Sequence, residues 1–133
     1  MPGVIWPDVE AAFITYMDAA LTAAAATKPH AVDVCVGNRL PRPIPTRAVS
    51  VRDDGGPVLG DVRAVARLGV NVWAESDEVC ADLAALVVAL IGAWPDGDPV
   101  IRAVPTRAAP VPEESGKPHR YLTAEVWVRG TSL

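Results

Sequence analysis

Two histidines, two cysteines, a few serines and some short acidic runs are all that this sequence offers for chemistry. His30 and His119 each sit beside a proline, Pro29 and Pro118, in segments that read as connectors, and are taken as turn or surface histidines. A Ser-His-Asp constellation would have to use Ser50 or Ser115, yet neither is flanked by the glycines of a nucleophile elbow. Glu113-Glu114 and Asp77-Glu78 are paired carboxylates, read as a loop surface and a helix start instead of an acid/base pair. Gly116-Lys117 has the end of a phosphate-binding loop, but Val111 stands where the earlier glycine belongs and Pro118 where the magnesium-binding hydroxyl belongs. Asp53-Asp54-Gly55-Gly56 lacks the spaced ligands and distal glutamate of a calcium loop, and reads as a solvated hairpin tip. Cys35 and Cys80 are far apart, in a strand and a helix, with no CxxC spacing, so both are expected reduced. No catalytic residue, metal or cofactor is expected.

The elements that carry these residues fit one domain over residues 1–133, since 133 residues support a single core. Half of the residues are hydrophobic and 21% are charged, a globular composition, and no apolar run is long enough to span a bilayer. Met1-Pro2-Gly3-Val4-Ile5-Trp6 has no basic segment followed by an apolar one, so synthesis and residence in the cytoplasm are expected. A net charge of -4 argues against a protein that coats nucleic acid by neutralising phosphates.

Helical spacing of Val9, Phe13, Tyr16, Met17, Leu21 and Ala24 after Pro7-Asp8 predicts a helix over residues 7–27. Ala31–Val36 is expected as a strand, followed by a proline-rich connector at 41–45. Val49 and Val51 begin a hairpin with a long tip at 53–60, whose second strand covers 61–74. Ser76 caps a second helix whose apolar stripe runs from Val79 through Leu83, Val87 and Ile91 to Trp94. Strands at 100–109 and 120–129, joined by 110–118, complete the order α-β-β-β-α-β-β. The expected class is α+β: a mainly antiparallel sheet of about five strands with two helices on one face.

Charge is distributed unevenly along the chain. Segments 1–38 and 75–98 carry acids offset only by Lys28, while arginines concentrate on the strands and connectors. Complementary charge between copies would use Arg63, Arg67 and Arg129 on one surface and Asp77, Glu78 and Asp82 on another. Trp73 and Trp127 point away from the apolar strand face and suit either an interface or edge packing. Asp53, Asp54, Gly55 and Gly56, with Glu113, Glu114 and Lys117, mark the two long loops available for docking.

The chain resembles the tail terminator (tail completion) proteins of long-tailed, siphovirus-type bacteriophages, particularly those infecting actinobacteria. The resemblance rests on Trp6-Pro7-Asp8-Val9-Glu10, Val51-Arg52-Asp53-Asp54-Gly55-Gly56-Pro57, Arg67-Leu68-Gly69-Val70-Asn71-Val72-Trp73-Ala74, and the stretch from Pro110-Val111-Pro112 to Tyr121-Leu122-Thr123-Ala124-Glu125-Val126-Trp127-Val128-Arg129-Gly130. It implies a non-enzymatic virion protein without cofactors, forming a hexameric ring at the head-proximal end of the tail tube. Its implied partners are its own copies, the major tail tube protein and the head-tail connector or stopper, with DNA passing through the lumen without sequence-specific binding. Two other readings stand beside it: another phage neck or head-completion protein, and a small bacterial enzyme or ligand-binding domain with a cleft near His119 and Glu125.

Overall fold

The computed structural model describes residues 3–60 and 62–133. Met1, Pro2 and Asp61, the last of which was expected to open a strand, lie outside the described residues. The first strand, β1 (Val4–Ile5), is followed by helix α1 (Val9–Ala24), a 3-10 turn (Pro29–Ala31), β2 (Cys35–Gly37), β3 (Ala48–Asp53) and β4 (Arg63–Trp73). Helix α2 (Asp77–Gly92) comes next, then β5 (Val100–Pro105), β6 (Ala109–Pro110), β7 (His119–Arg129) and β8 (Thr131–Ser132).

Both helices begin where their caps dictate. Asp8 accepts from the Ala11 N–H at 3.0 Å and Ser76 from the Val79 N–H at 3.2 Å, each satisfying an otherwise orphaned donor and contributing about 1 kcal/mol. Val9, Phe13, Met17 and Leu21 put one residue of α1 per turn into the core, and Cys80, Leu83, Ala84, Val87 and Ile91 do the same for α2. These side chains meet Val49, Val51, Leu68, Val70, Val72, Leu122, Ala124, Val126 and Val128 from alternate positions of β3, β4 and β7, so both helices cover one face of the sheet.

The α+β class is as expected, and the sheet is larger and less uniform than the sequence suggested. It has six strands in the order β2-β3-β4-β7-β5, with β6 also on β7, and its β2–β3 pair is parallel while the others are antiparallel. A separate two-stranded sheet pairs β1 with β8, which the sequence reading did not contain.

The expected strand over 31–36 is replaced by the 3-10 turn and a strand only at Cys35–Gly37. Asp33 takes a φ of 55°, and the Arg47 guanidinium donates to the carbonyls of Pro29 (2.7 Å) and Val32 (3.1 Å), holding the turn out of the sheet. Glu75 completes this bracket and is drawn down to a pKa of about 2, chiefly by the hydrogen bond from Arg47. Helix α1 also stops short of residue 27: Lys28 is already extended and Pro29 opens the 3-10 turn.

The hairpin tip is shorter than expected. Asp54 N–H donates to Arg67, Arg67 N–H to Gly55 and Val65 N–H to Pro57, so 54–57 runs along β4 and the chain reverses only after Leu59. Gly56 is required there, because an added Cβ would fall on the carbonyl oxygen of Val65. The expected strand over 100–109 is likewise divided into β5 and β6. Between them, Thr106 N–H bonds Thr123 O, and the Thr106 hydroxyl accepts from Thr123 N–H at 2.9 Å.

Candidate assembly surfaces

The second face of the sheet carries no helix, and its two ends differ. Alternation and register place Ser50 and Arg52 of β3 there, with Arg63, Val65, Arg67, Gly69, Asn71 and Trp73 of β4, and His119, Tyr121, Thr123, Glu125, Trp127 and Arg129 of β7. At the Trp73 end, two proline-rich segments close over the sheet. Asn38–Ile44 lies against Ser50 and Trp73, and 110–118 lies against His119. The far end is open.

Trp73 and His119 stand opposite each other in register and their rings stack at 4.6 Å between centroids. The Trp73 indole N–H donates to Glu113 Oε1 at 2.9 Å, Ser115 Oγ donates to Glu113 Oε2 at 3.0 Å, and His119 Nε2 is 2.7 Å from Asn71 Oδ1. His119 Nδ1 is buried and lies 2.9 Å from Glu113 Oε1 but off hydrogen-bond alignment, a contact that becomes an ion pair only when the ring is protonated. His119 is therefore not the surface histidine the sequence suggested: its side chain is only 10% exposed. The carboxylate lies between serine and histidine, whereas a nucleophilic triad needs the imidazole between serine and carboxylate. This constellation is a clasp that fixes the 111–118 loop. His119 and Glu125 are six residues apart on one strand, about 20 Å, too far to share a small cleft.

Burial pushes the His119 imidazole below its ordinary value of 6.5, with Glu113 opposing the shift. Folding thus favours the neutral ring. The clasp stabilises fully above about pH 6.5 and loses that contribution as pH falls through the lowered folded value. Glu113, held below its ordinary range first by the Trp73 indole, adds a loss in the same direction at lower pH. The melting temperature is expected to fall between about pH 7 and 5, with a visibly smaller fall in His119→Gln. Parallel pH profiles for the two proteins would remove His119 as the cause.

At the open end, Arg63 faces Arg129 across the β4–β7 pair, and Arg67 faces Glu125 without closing to an ion pair among the described residues. The Arg102 guanidinium lies 5.6 Å from the Trp127 ring centroid. Arg102 was absent from the sequence-based candidates for a physical reason. Simple alternation from buried Val100 points it inward, but the register shift between Val100 and Arg102 turns it out beside Trp127. Arg63, Arg67, Trp127 and Arg129 are thus brought together on one surface, while Trp73 belongs to the covered end.

Asp77, Glu78 and Asp82 are all exposed on α2, in the helix layer. Asp77 and Glu78 open that helix directly after β4 ends, so they lie at the opposite end from Arg63 and Arg129. One copy cannot bring these two groups together. Of the loop candidates, Asp53 and Asp54 are engaged locally: Asp53 Oδ1 accepts from Gly55 N–H at 2.8 Å, and Asp54 Oδ1 from Arg52 Nε at 2.6 Å. Gly55 and Gly56 run along β4 with them, Glu113 is the clasp, Lys117 is half-buried behind it, and Glu114 is exposed at the loop tip. Among the described residues no helix is long and apolar enough to cross a membrane, and no three His, Cys, Asp or Glu side chains gather as a metal ion would need.

No family model and no curated protein matches this chain. Among solved structures it is similar to a chain from the virion of a native gene transfer agent particle, with a TM-score of 0.58 and 18% identity. The alignment covers 90% of this chain and 98% of that one, so the likeness is one of whole-domain fold.

Proposed function

We propose that this chain is a structural subunit of a phage-type virion, and specifically a tail terminator. In this reading its copies close a hexameric ring at the head-proximal end of the tail tube, end tube polymerisation and present the surface on which the head-tail connector docks. The observation that carries the reading is the match of almost the whole chain to almost the whole of a gene transfer agent virion protein. The tail assignment adds to this the resemblance of the sequence motifs to tail terminators.

The separation of charge supports a cyclic assembly. An arginine-rich sheet end and an acidic helix start, at opposite ends of one copy, are suited to a heterologous contact in which each copy binds a different patch on the next. DNA passing through such a ring would meet a chain of net charge -4, suited to passage and not to tight binding. Electron microscopy of the purified protein, alone and mixed with growing tail tubes, tests the proposal. Six-fold rings at tube ends and shortened tubes are expected; tubes that lengthen unchecked without bound rings would sink it.

A further inference from the structure

A groove of about 410 Å³ runs between α1 and the segment that follows α2, lined by Ala12, Thr15, Tyr16, Trp94, Asp98 and Pro99 among others. Tyr16 and Trp94 stack within it at 5.0 Å and are both only half-buried. Its charge is one-sided, because neither residues 1–27 nor 77–101 contain a lysine or arginine, and Asp96 and Asp98 make no ion pair among the described residues. The connector between β2 and β3 has the opposite character. From Val34 to Arg52 the chain has four arginines and no acid; Arg47 and Arg52 are paired within the copy, while Arg39 and Arg42 have no ion pair among the described residues. Pro41, Arg42 and Pro43 are exposed.

We propose that this groove receives the Pro41-Arg42-Pro43 arm of the next copy, with Arg42 set beside Asp98. Proline-rich segments suit aromatic-lined grooves, and their restricted backbone lowers the entropy lost on docking. Opposite charge fixes which segment enters. The other proline-rich loop, 110–118, is the poorer occupant: it carries Glu113 and Glu114, and Glu113 is held by the Trp73 indole of its own copy. A copy's own arm is on the wrong side of α1. Asn38 Nδ2 donates to Glu10 Oε1 at 2.9 Å, which sets the start of the arm against the Glu10 side of the helix. Ala12 and Tyr16 lie about 200° and 240° around the helix from Glu10, on its far side. Arm and groove are therefore two different patches, as a head-to-tail contact requires. The inference rests on the ring reading for its second copy, and adds a contact made by neither the sheet arginines nor the start of α2.

Sedimentation of the wild type, Arg42→Asp, Asp98→Arg, the exchanged Arg42→Asp/Asp98→Arg variant and Thr15→Arg, which fills the groove, tests it. Arg42, Asp98 and Thr15 are all exposed, so each variant should fold. Each single charge reversal is expected to weaken self-association about ten-fold, and the exchange to recover most of that loss. Thr15→Arg should weaken it at least as much. Single variants that assemble as well as the wild type overturn this inference and leave the ring reading standing. An exchanged variant that associates no better than the single ones overturns the pairing of Arg42 with Asp98 and the inference with it. A wild type that stays monomeric both alone and on tail tubes removes both.

Discussion

Phe13→Ala is expected to cost about 3–5 kcal/mol, the largest loss from any single truncation in this domain. Phe13 is fully buried, and its ring meets Trp94 edge to face at 6.1 Å between centroids. Trp94 in turn stacks on Tyr16 at 5.0 Å, whose hydroxyl donates to the Leu90 carbonyl at 2.6 Å. Removing the Phe13 ring therefore does more than expose a methylene count. It opens a cavity beneath the contact that ties α1 to the end of α2, and the surrounding aromatics can follow only by giving up their own geometry. Against a typical total of about 5–15 kcal/mol, such a loss lowers the melting temperature on the order of 10–20 °C. Urea unfolding with an unchanged slope measures it, with exposed Thr22→Ala as the control, which should stay within about 0.5 kcal/mol of wild type. A loss for Phe13→Ala below about 1 kcal/mol would mean that α1 is not packed as described.

Both helices were legible in the sequence because two independent signals agreed at each: a capping side chain, Asp8 or Ser76, and apolar residues four apart beyond it. The long strands β4 and β7 were legible from alternation alone. What the sequence hid depends on contacts between distant residues. The turn at 29–31 is held by Arg47, and nothing near Ala31–Val36 announces that a guanidinium will claim its carbonyls. Two-residue strands such as β1 and β8 carry no periodicity at all.

The same division runs through the candidate surfaces. Arginines on strands and acids on helices could be read as charge geography, and the fold places them on different faces and ends. His119 could not be read, since a histidine beside a proline looks like a loop residue until the β4–β7 register sets it opposite Trp73. Arg102 was hidden by a bulge.

Charge reversal on the two proposed ring surfaces should abolish self-assembly singly and restore it on mixing. Arg67→Glu/Arg102→Glu makes the open sheet end acidic, and Asp77→Arg/Glu78→Arg makes the start of α2 basic. Every one of these side chains is exposed, so folding should survive in both variants. In either variant alone, both contact surfaces carry one sign, and close charge pairs that contribute about 1.5 kcal/mol or more when complementary become repulsive. Each should sediment as a monomer at low salt. When the two are mixed, the acidic sheet end of the first faces the basic helix of the second, and the basic sheet end of the second faces the acidic helix of the first. Both junctions are then complementary, and the copies must alternate around the ring. Alternation closes only in a ring with an even number of subunits, so a hexamer made of equal parts is an outcome that an odd ring cannot reproduce. Raising salt should weaken wild-type and mixed rings together, because rim charges are screened over about 10 Å at 0.1 M ionic strength. Sedimentation of the singles and the mixture decides the matter: variants that assemble alone as well as the wild type would place the ring contact on other surfaces.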